Sequence, residues 1–362
     1  MTTRTPSFTQ HSTHQRLLVE PPTGERARVD AIIVPAARDV GRLREAVRLA
    51  QKLDCPLVAV CSQGADAKTV RAKSWEVPAT IVAVDLPPQV NLPRMLTSTM
   101  LARTPFLRRA DTATKRNLGL ALTRMTGWQR VLFLDDDISG LRAPAVERAA
   151  GLLPGFGAVG LANTGYPDNS VVCHANRDTG GEQGTFIGGG ALLFPAERTT
   201  SFFPDIYNED WFFLLDHRKL TDVAVHGRFD QAQFDPYPNP RRAAQEEFGD
   251  CLAEGLFALL DDGYTLDRAD LRYWRSFIPA RGRLIGEILA RVPQAPASAL
   301  RRQQMSVSLW AAQKSLFRVE PEMCVAYLDA WRHDRVRWQR FIERLPQAVS
   351  TEQALGVLGL KS

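Results

Sequence analysis

The chain has 362 residues, 44% of them apolar and 23% charged, with a formal net charge of +5. This mixture can bury a sizeable core and excludes collagen, wholesale disorder and a disulfide miniprotein. The length suits one large domain with an appendage, or two ordinary ones. No apolar stretch approaches the ~20 residues of a membrane span. Five cysteines (Cys55, Cys61, Cys173, Cys251, Cys324) form no CxxC and no metal-ligand spacing, which predicts reduced thiols and a cytoplasmic protein. Basic residues are mostly arginine, 38 against 7 lysines, a bias that favours phosphate. The charge is uneven: residues 101–130 hold seven Arg or Lys and one acid, Asp111. Without a basic stripe carrying interleaved aromatics, nucleic acid is not expected; a phosphorylated small molecule fits better.

Residues 1–28 lack a secretory apolar run and predict a disordered lead-in. Strands are expected at Val29–Val34, Pro56–Cys61 and Thr80–Leu86, with helices after the first and second, a βαβ rhythm implying a mainly parallel sheet. A helix is predicted over Thr112–Thr126, then a strand over Val131–Leu134, then a helix over Pro144–Leu153. Further strands are expected at Ala158–Ala162, Ser170–His174, Phe186–Phe194 and Val223–Val225. The proline-rich tract Phe234–Arg242 marks a boundary. Beyond it the pattern is helical, including Glu246–Leu260 and Pro321–Leu345. The expected organisation is a tail over 1–28, an α/β domain over 29–235 and a helical region over 236–362.

Asp135-Asp136-Asp137 follows the apolar strand Val131–Leu134 directly. Carboxylates at the end of a buried strand are costly without a cation, and that end of an open α/β sheet is where ligands bind. Two oxygen donors two residues apart suit a hard divalent ion, Mn²⁺ or Mg²⁺; the plainer reading is a solvated turn. Glu209-Asp210, framed by Tyr207, Trp211 and Phe212, can supply a base and an orienting acid; the plainer reading is a helix cap by Asn208 or Asp210, with the acids on the helix dipole. Gly188-Gly189-Gly190 permits close approach of a ligand or merely a bulge. Lys115-Arg116 can meet a diphosphate or be solvated, and His226 can complete a metal shell or be structural.

Together these segments resemble a GT-A-fold glycosyltransferase of the family-2 type. The first strand with its proline and following helix (IIVPAARDVGRLREAVRLA), the segment KRNLGLALTRMTGWQRVLFLDDDI, then GGGALLF and NEDWFF occur in that family's order, over about Val29 to Gln233. The resemblance implies a GT-A (nucleotide-diphospho-sugar transferase) fold with a mainly parallel central sheet, plus an α-helical C-terminal region. It implies a UDP- or GDP-sugar donor and a hydroxyl acceptor. It places Pro35, Arg38, Lys115, Arg116, Asp135 and Asp136 at the donor, and Asp137, Asp135 and His226 on the metal. Asp210 would be the base with Glu209 beside it, and Gly189, Gly190 and Trp211 would face the acceptor. The family's acidic signature after the second strand is absent from CSQGAD, where Ser62 or Asp66 would substitute. No Q-x-x-R-W element follows His226, so a retaining mechanism, with Asp210 orienting substrates, stays open.

Two other readings use the same residues. A haloacid-dehalogenase-type phosphatase would take Asp135 as nucleophile and Gly249-Asp250 with Glu254 as its later acidic motif. A catalytically degenerate sugar-nucleotide-binding protein would keep the cleft without turnover. The segment Trp331–Phe341, with Trp331 and Trp338 on one face, either packs on the catalytic domain, the favoured outcome, or rests on a membrane surface. A homo-oligomer is compatible with all of these.

Overall fold

In a computed structural model describing residues 11–22, 24–108 and 110–360, the apolar runs of the first half build parallel β-α units. Strands β1 (Ala31–Ala36), β2 (Leu57–Cys61) and β3 (Ile81–Asp85) are linked through helices α1 (Arg44–Leu53) and α2 (Ala67–Ala72). Helix α3 (Leu96–Leu101) and helix α4 (Thr112–Thr126) lead to β4 (Arg130–Leu134) and the two-residue β5 (Ile138–Ser139). Then follow α5 (Ala143–Leu152), β6 (Ala158–Asn163), α6 (Val171–Asp178), β7 (Ala191–Pro195), α7 (Glu209–Leu214) and β8 (Val223–Gln231). The remainder is helical: α8 (Pro240–Asp261), α9 (Leu271–Arg291), α10 (Ala299–Leu316), α11 (Pro321–Arg344) and α12 (Thr351–Val357).

The eight strands lie in the order β3-β2-β1-β4-β7-β6-β8-β5. β3, β2, β1 and β4 are parallel, β7 is antiparallel to both its neighbours, and β5 is antiparallel to β8. The chain winds outward from β1 to β3 and then crosses back to β4. β1 and β4 therefore flank a switch point, where a crevice opens beyond the carboxyl ends. Pro35 widens it. The β1–β4 register ends at Ile33↔Phe133, and Pro35 has no N–H with which to extend it.

One face of the sheet packs against α1, α2 and α5. The other face shares a single core with α4 and the C-terminal helices. Helix α4 comes so close that a Cβ on Gly119 would lie 2.9 Å from Phe133, which only glycine permits. Helix α11 is tied to the α/β part by buried Asp334, whose carboxylate accepts from Leu96 N (2.7 Å), Thr97 N (2.8 Å) and Thr97 Oγ1 (2.8 Å). Its tryptophans, Trp331 and Trp338, are fully buried, so this face packs inward. No helix among the described residues is long and apolar enough to cross a membrane. The five cysteines are free and buried.

Three expectations change. Ser170–His174, read as a strand, begins α6, because the Ser170 hydroxyl accepts from Cys173 N at 3.2 Å and caps a helix. The strand expected over Phe186–Phe194 shortens to Ala191–Pro195, since Gly188–Gly190 run outside the ladder. Of the expected tail, residues 1–10 lie outside the described residues, but 11–22 are docked. Val19 bridges Ala224 in parallel, and His14 is buried against α8.

Burial alone would lower the His14 pKa, but the hydrogen bonds its ring donates to Asp261 and to Glu254 (3.2 Å) overturn this and hold it at about 9. The folded value lies above the unfolded ~6.5. Stabilisation by the imidazolium is therefore complete below pH ~6.5 and drains away as pH rises to ~9. His14→Gln should cost about 3 kcal/mol at pH 6. The gap to wild type in chemical denaturation should shrink steadily toward pH 9, and a gap independent of pH would refute the assignment.

Candidate active site

The crevice at the ends of β1 and β4 opens into a cleft of about 500 Å³. Asp135, Asp136 and Asp137 emerge there from β4, as the apolar run before them dictates. Each has a different neighbour. Asp136 is buried and accepts from the backbone N–H groups of Ala37 (2.8 Å) and Arg38 (2.9 Å), and the Arg38 guanidinium contacts its other oxygen. It thereby bridges the splayed ends of β1 and β4. Asp137 pairs with Arg38 at 2.9 Å. Asp135 is gripped by both oxygens from Arg116 Nη2, at 2.9 and 3.0 Å, while its backbone N–H donates to Gly190 O.

Arg116 is buried, and its other terminal nitrogen donates to Glu209 at 3.0 Å. Arg108 also reaches Glu209, at 2.7 Å. The acidic pair thus divides its work. Glu209 is enclosed by two arginines. Asp210 is held by backbone alone, accepting from Gly189 N (2.6 Å) and Trp211 N (2.9 Å). Asn208 has a left-handed backbone, φ 62°, and caps no helix; its amide donates to Asp250 on α8 at 3.1 Å. Asp250 in turn accepts from the buried Arg281 of α9, at 2.6 Å. The C-terminal helices therefore anchor the loop that presents Asp210.

Acid outnumbers base. The cleft is lined by the carboxylates of Asp135, Asp136, Asp137, Asp168, Glu209, Asp210, Glu246, Asp250 and Glu254, against the guanidiniums of Arg38, Arg108, Arg116 and Arg242. Burial, then the charge of Asp135, pushes Asp137 up to about 6. Burial, then the charge of Glu209, raises Asp210 to about 6. Asp168 keeps contact with solvent inside the cleft but is walled in by protein. That enclosure, then the charges of Asp210, Asp135 and Asp137, lifts it to about 7.

Of the residues expected in the site, Pro35, Arg38, Arg116, Asp135, Asp136, Asp137, Glu209, Asp210, Gly190 and Trp211 line this cleft. Five others do not. Lys115 is buried, and its ammonium contacts Ala36 O (2.8 Å), Ser62 Oγ (2.6 Å) and Asp111 (3.1 Å), so Lys115 and Ser62 bind each other across the ends of β1 and β2. Asp66 caps α2 through Thr69 N at 2.7 Å. Gly189 lies beneath Arg116. His226 lies away from the carboxylates, where burial and the Arg148 cation lower its pKa. Asp135, Asp137 and His226 are thus not gathered into one ligand set. Among the described residues, the one such cluster with ligand atoms within 4.8 Å is Cys173, Asp250 and Glu254. The phosphatase motif falls inside helix α8, not after a strand. Asp168, Arg108 and Arg242 escaped the sequence reading, since each sits in a segment without periodic pattern or paired acids.

No family model and no curated protein matches the sequence. Two solved structures are similar in outline. The mannosyltransferase PcManGT from Pyrobaculum calidifontis, in complex with GDP-Man and Mn²⁺, is 17% identical over 89% of this chain and 92% of its own, with a TM-score of 0.43. A candidate nucleotide-diphospho-sugar transferase from Desulfovibrio desulfuricans G20 is 10% identical over 56% of this chain and 82% of its own, with a TM-score of 0.31. Neither likeness is close enough to carry a conclusion for this chain.

A Cβ on Gly189 would lie 2.5 Å from Arg116 Cζ, whereas the nearest atom to one on Gly190 is 3.5 Å away. Because Arg116 is pinned at both ends, Gly189→Ala should lose about 2 kcal/mol in urea denaturation. Gly190→Ala should stay within ~0.5 kcal/mol of wild type. Equal losses would deny Arg116 its fixed seat.

Proposed function

We propose that this chain is a glycosyltransferase of the GT-A type, moving a sugar from a nucleoside-diphosphate sugar to a hydroxyl acceptor with the help of a divalent cation. The observation that carries this reading is the surplus of carboxylates at the switch-point crevice, where burial, and then neighbouring carboxylates with Asp135 among them, push Asp137 and Asp168 toward neutrality. Such a cluster is relieved by a cation. Its donors are all oxygen, which suits Mn²⁺ or Mg²⁺.

Asp137 and Asp135, which line one cleft with Asp168 although the three do not converge within 4.8 Å as they stand, would turn toward that ion and hold it, and when bound it supplies positive charge to the departing diphosphate. Asp168 takes the place in this set that His226 was expected to fill. Arg38, half-exposed and paired with Asp136 and Asp137, is the cation that would exchange a carboxylate for a phosphate. Lys115 acts at one remove, holding the β1 and β2 termini where a nucleoside would lie.

Asp210 would accept the proton from the acceptor hydroxyl. Its backbone hydrogen bonds fix the carboxylate, and its pKa of about 6 makes it a stronger base than an ordinary aspartate while leaving it ionised at neutral pH. Trp211 and Phe186, with ring centroids 5.1 Å apart, wall the side where an acceptor sugar would stack. Glu209, held between arginines, positions.

The test is a thermal-shift and turnover panel of UDP- and GDP-sugars, GDP-mannose among them, with and without Mn²⁺. At least one donor should stabilise the protein only with metal, and Asp137→Ala should remove that shift; no response from any donor would reject the reading. Asp210→Asn should retain donor binding but lower kcat by about 10²-fold or more. Wild-type turnover should fall about tenfold per pH unit below about 6, as the base is protonated.

A further inference from the structure

Helix α10 shows solvent an apolar stripe that none of the described residues covers. Leu300 is 64% exposed, Val307 46%, Trp310 60% and Phe317, the residue closing the helix, 77%. Their spacings of seven, three and seven residues put them on one side of the helix, along about 26 Å. The opposite side is firmly seated. Met305, Leu309, Ala312 and Leu316 are buried, and Ser308 and Ser315 donate to Tyr237 O (2.9 Å) and Ala244 O (2.6 Å). The stripe therefore faces outward from a helix that cannot roll. Apolar exposure of this extent on one element marks a contact surface.

Charge says what the contact is. From residue 288 to residue 319 the chain has Arg291, Arg301, Arg302, Lys314 and Arg318 and no aspartate or glutamate. Arg301 is engaged by Asp235 at 2.5 Å and Arg291 by Asn176 at 2.5 Å, but Lys314 and Arg318 are exposed beside Trp310 and Phe317. A second copy laid stripe against stripe would bring the same cations together, with acids only at the flanks, Glu287 and Glu320. An anionic lipid surface offers both an apolar layer and negative headgroups. Amphipathic helices with aromatic and basic side chains bind such surfaces in the interfacial plane.

We propose that α10 docks this protein on anionic membranes, with Trp310 and Phe317 entering the interface and Lys314 and Arg318 against the headgroups. Helix α11, whose sequence carries more tryptophan, is spent on the core and takes no part. Helix α8 packs on the inner face of α10 and lines the cleft with Arg242, Glu246 and Asp250. Docking would thus hold the cleft about one helix spacing, ~10 Å, from the lipid-facing layer.

The experiment is co-sedimentation of the full chain with phosphatidylcholine vesicles, with and without phosphatidylglycerol. Wild type should partition at least about tenfold more strongly onto the anionic vesicles, and high salt should weaken this. The pair Trp310→Ser with Phe317→Ser, and the pair Lys314→Glu with Arg318→Glu, should each lower binding about tenfold at unchanged Tm, because all four side chains are exposed. No binding to anionic vesicles, or binding indifferent to both pairs, would overturn the proposal. So would a dimer in sedimentation velocity that the aromatic pair dissolves without any effect on lipid. None of these readouts needs a sugar donor, so they stand or fall apart from the catalytic reading.

Discussion

Arg116 is the cation on which the cleft is hung. It is buried, it grips Asp135 at the end of β4, and with its other arm it holds Glu209 at the start of α7. A guanidinium placed this way joins two segments that are far apart in sequence and lie on different layers. Desolvating it is expensive, and only the pair of carboxylates makes the position tolerable. Remove the cation and a buried Glu209 and a half-buried Asp135 lose their shared partner; remove either acid and a buried cation loses one of its two. The geometry of Asp210, one residue beyond Glu209, follows from this tie.

A second tie runs through the helical half. Arg281 on α9 holds Asp250 on α8, and Asp250 holds Asn208, whose left-handed backbone turns the chain toward Asp210. The C-terminal helices are therefore not an appendage to the site. They share a core with one sheet face, reach α3 through Asp334, and fix the loop that carries Asp210. The loop bearing Asp210 is thus supported from the sheet side and from the helical side.

The sequence was most informative where local physics and the fold agreed. Helix α4 occupies the predicted Thr112–Thr126, and β4 delivers its three aspartates where a buried strand had to end. It was least informative where a residue's partner is remote. Ser170–His174 has the apolar content of a strand, and only the capping hydroxyl and the packing under α8 and α10 make it helical. Asp168 carries no motif; its role arises because three other carboxylates converge on it from distant segments. Lys115 looked like a phosphate ligand because a lone lysine gives no sign that a carbonyl and a hydroxyl already await it. The exposed stripe of α10 is likewise invisible in sequence, because an apolar helix face reads as core until its neighbours are known.

The docked segment around His14 bears on how the protein has to be made. Glu254 and Asp261 lie on the last turns of α8, and the ring of His14 also meets Trp211 and Phe257, with centroids 5.4 and 5.5 Å away. A shortened version starting at the first strand, the natural choice for anyone trimming an unpatterned leader to aid crystallisation, would strip the proton donor from two acids and uncover an aromatic cluster. Such a product would emerge from the ribosome with a sticky, negatively charged flank beside its own cleft. Poor yield or aggregation of that version would then be a fault of the trimming, and would say nothing against the full-length fold.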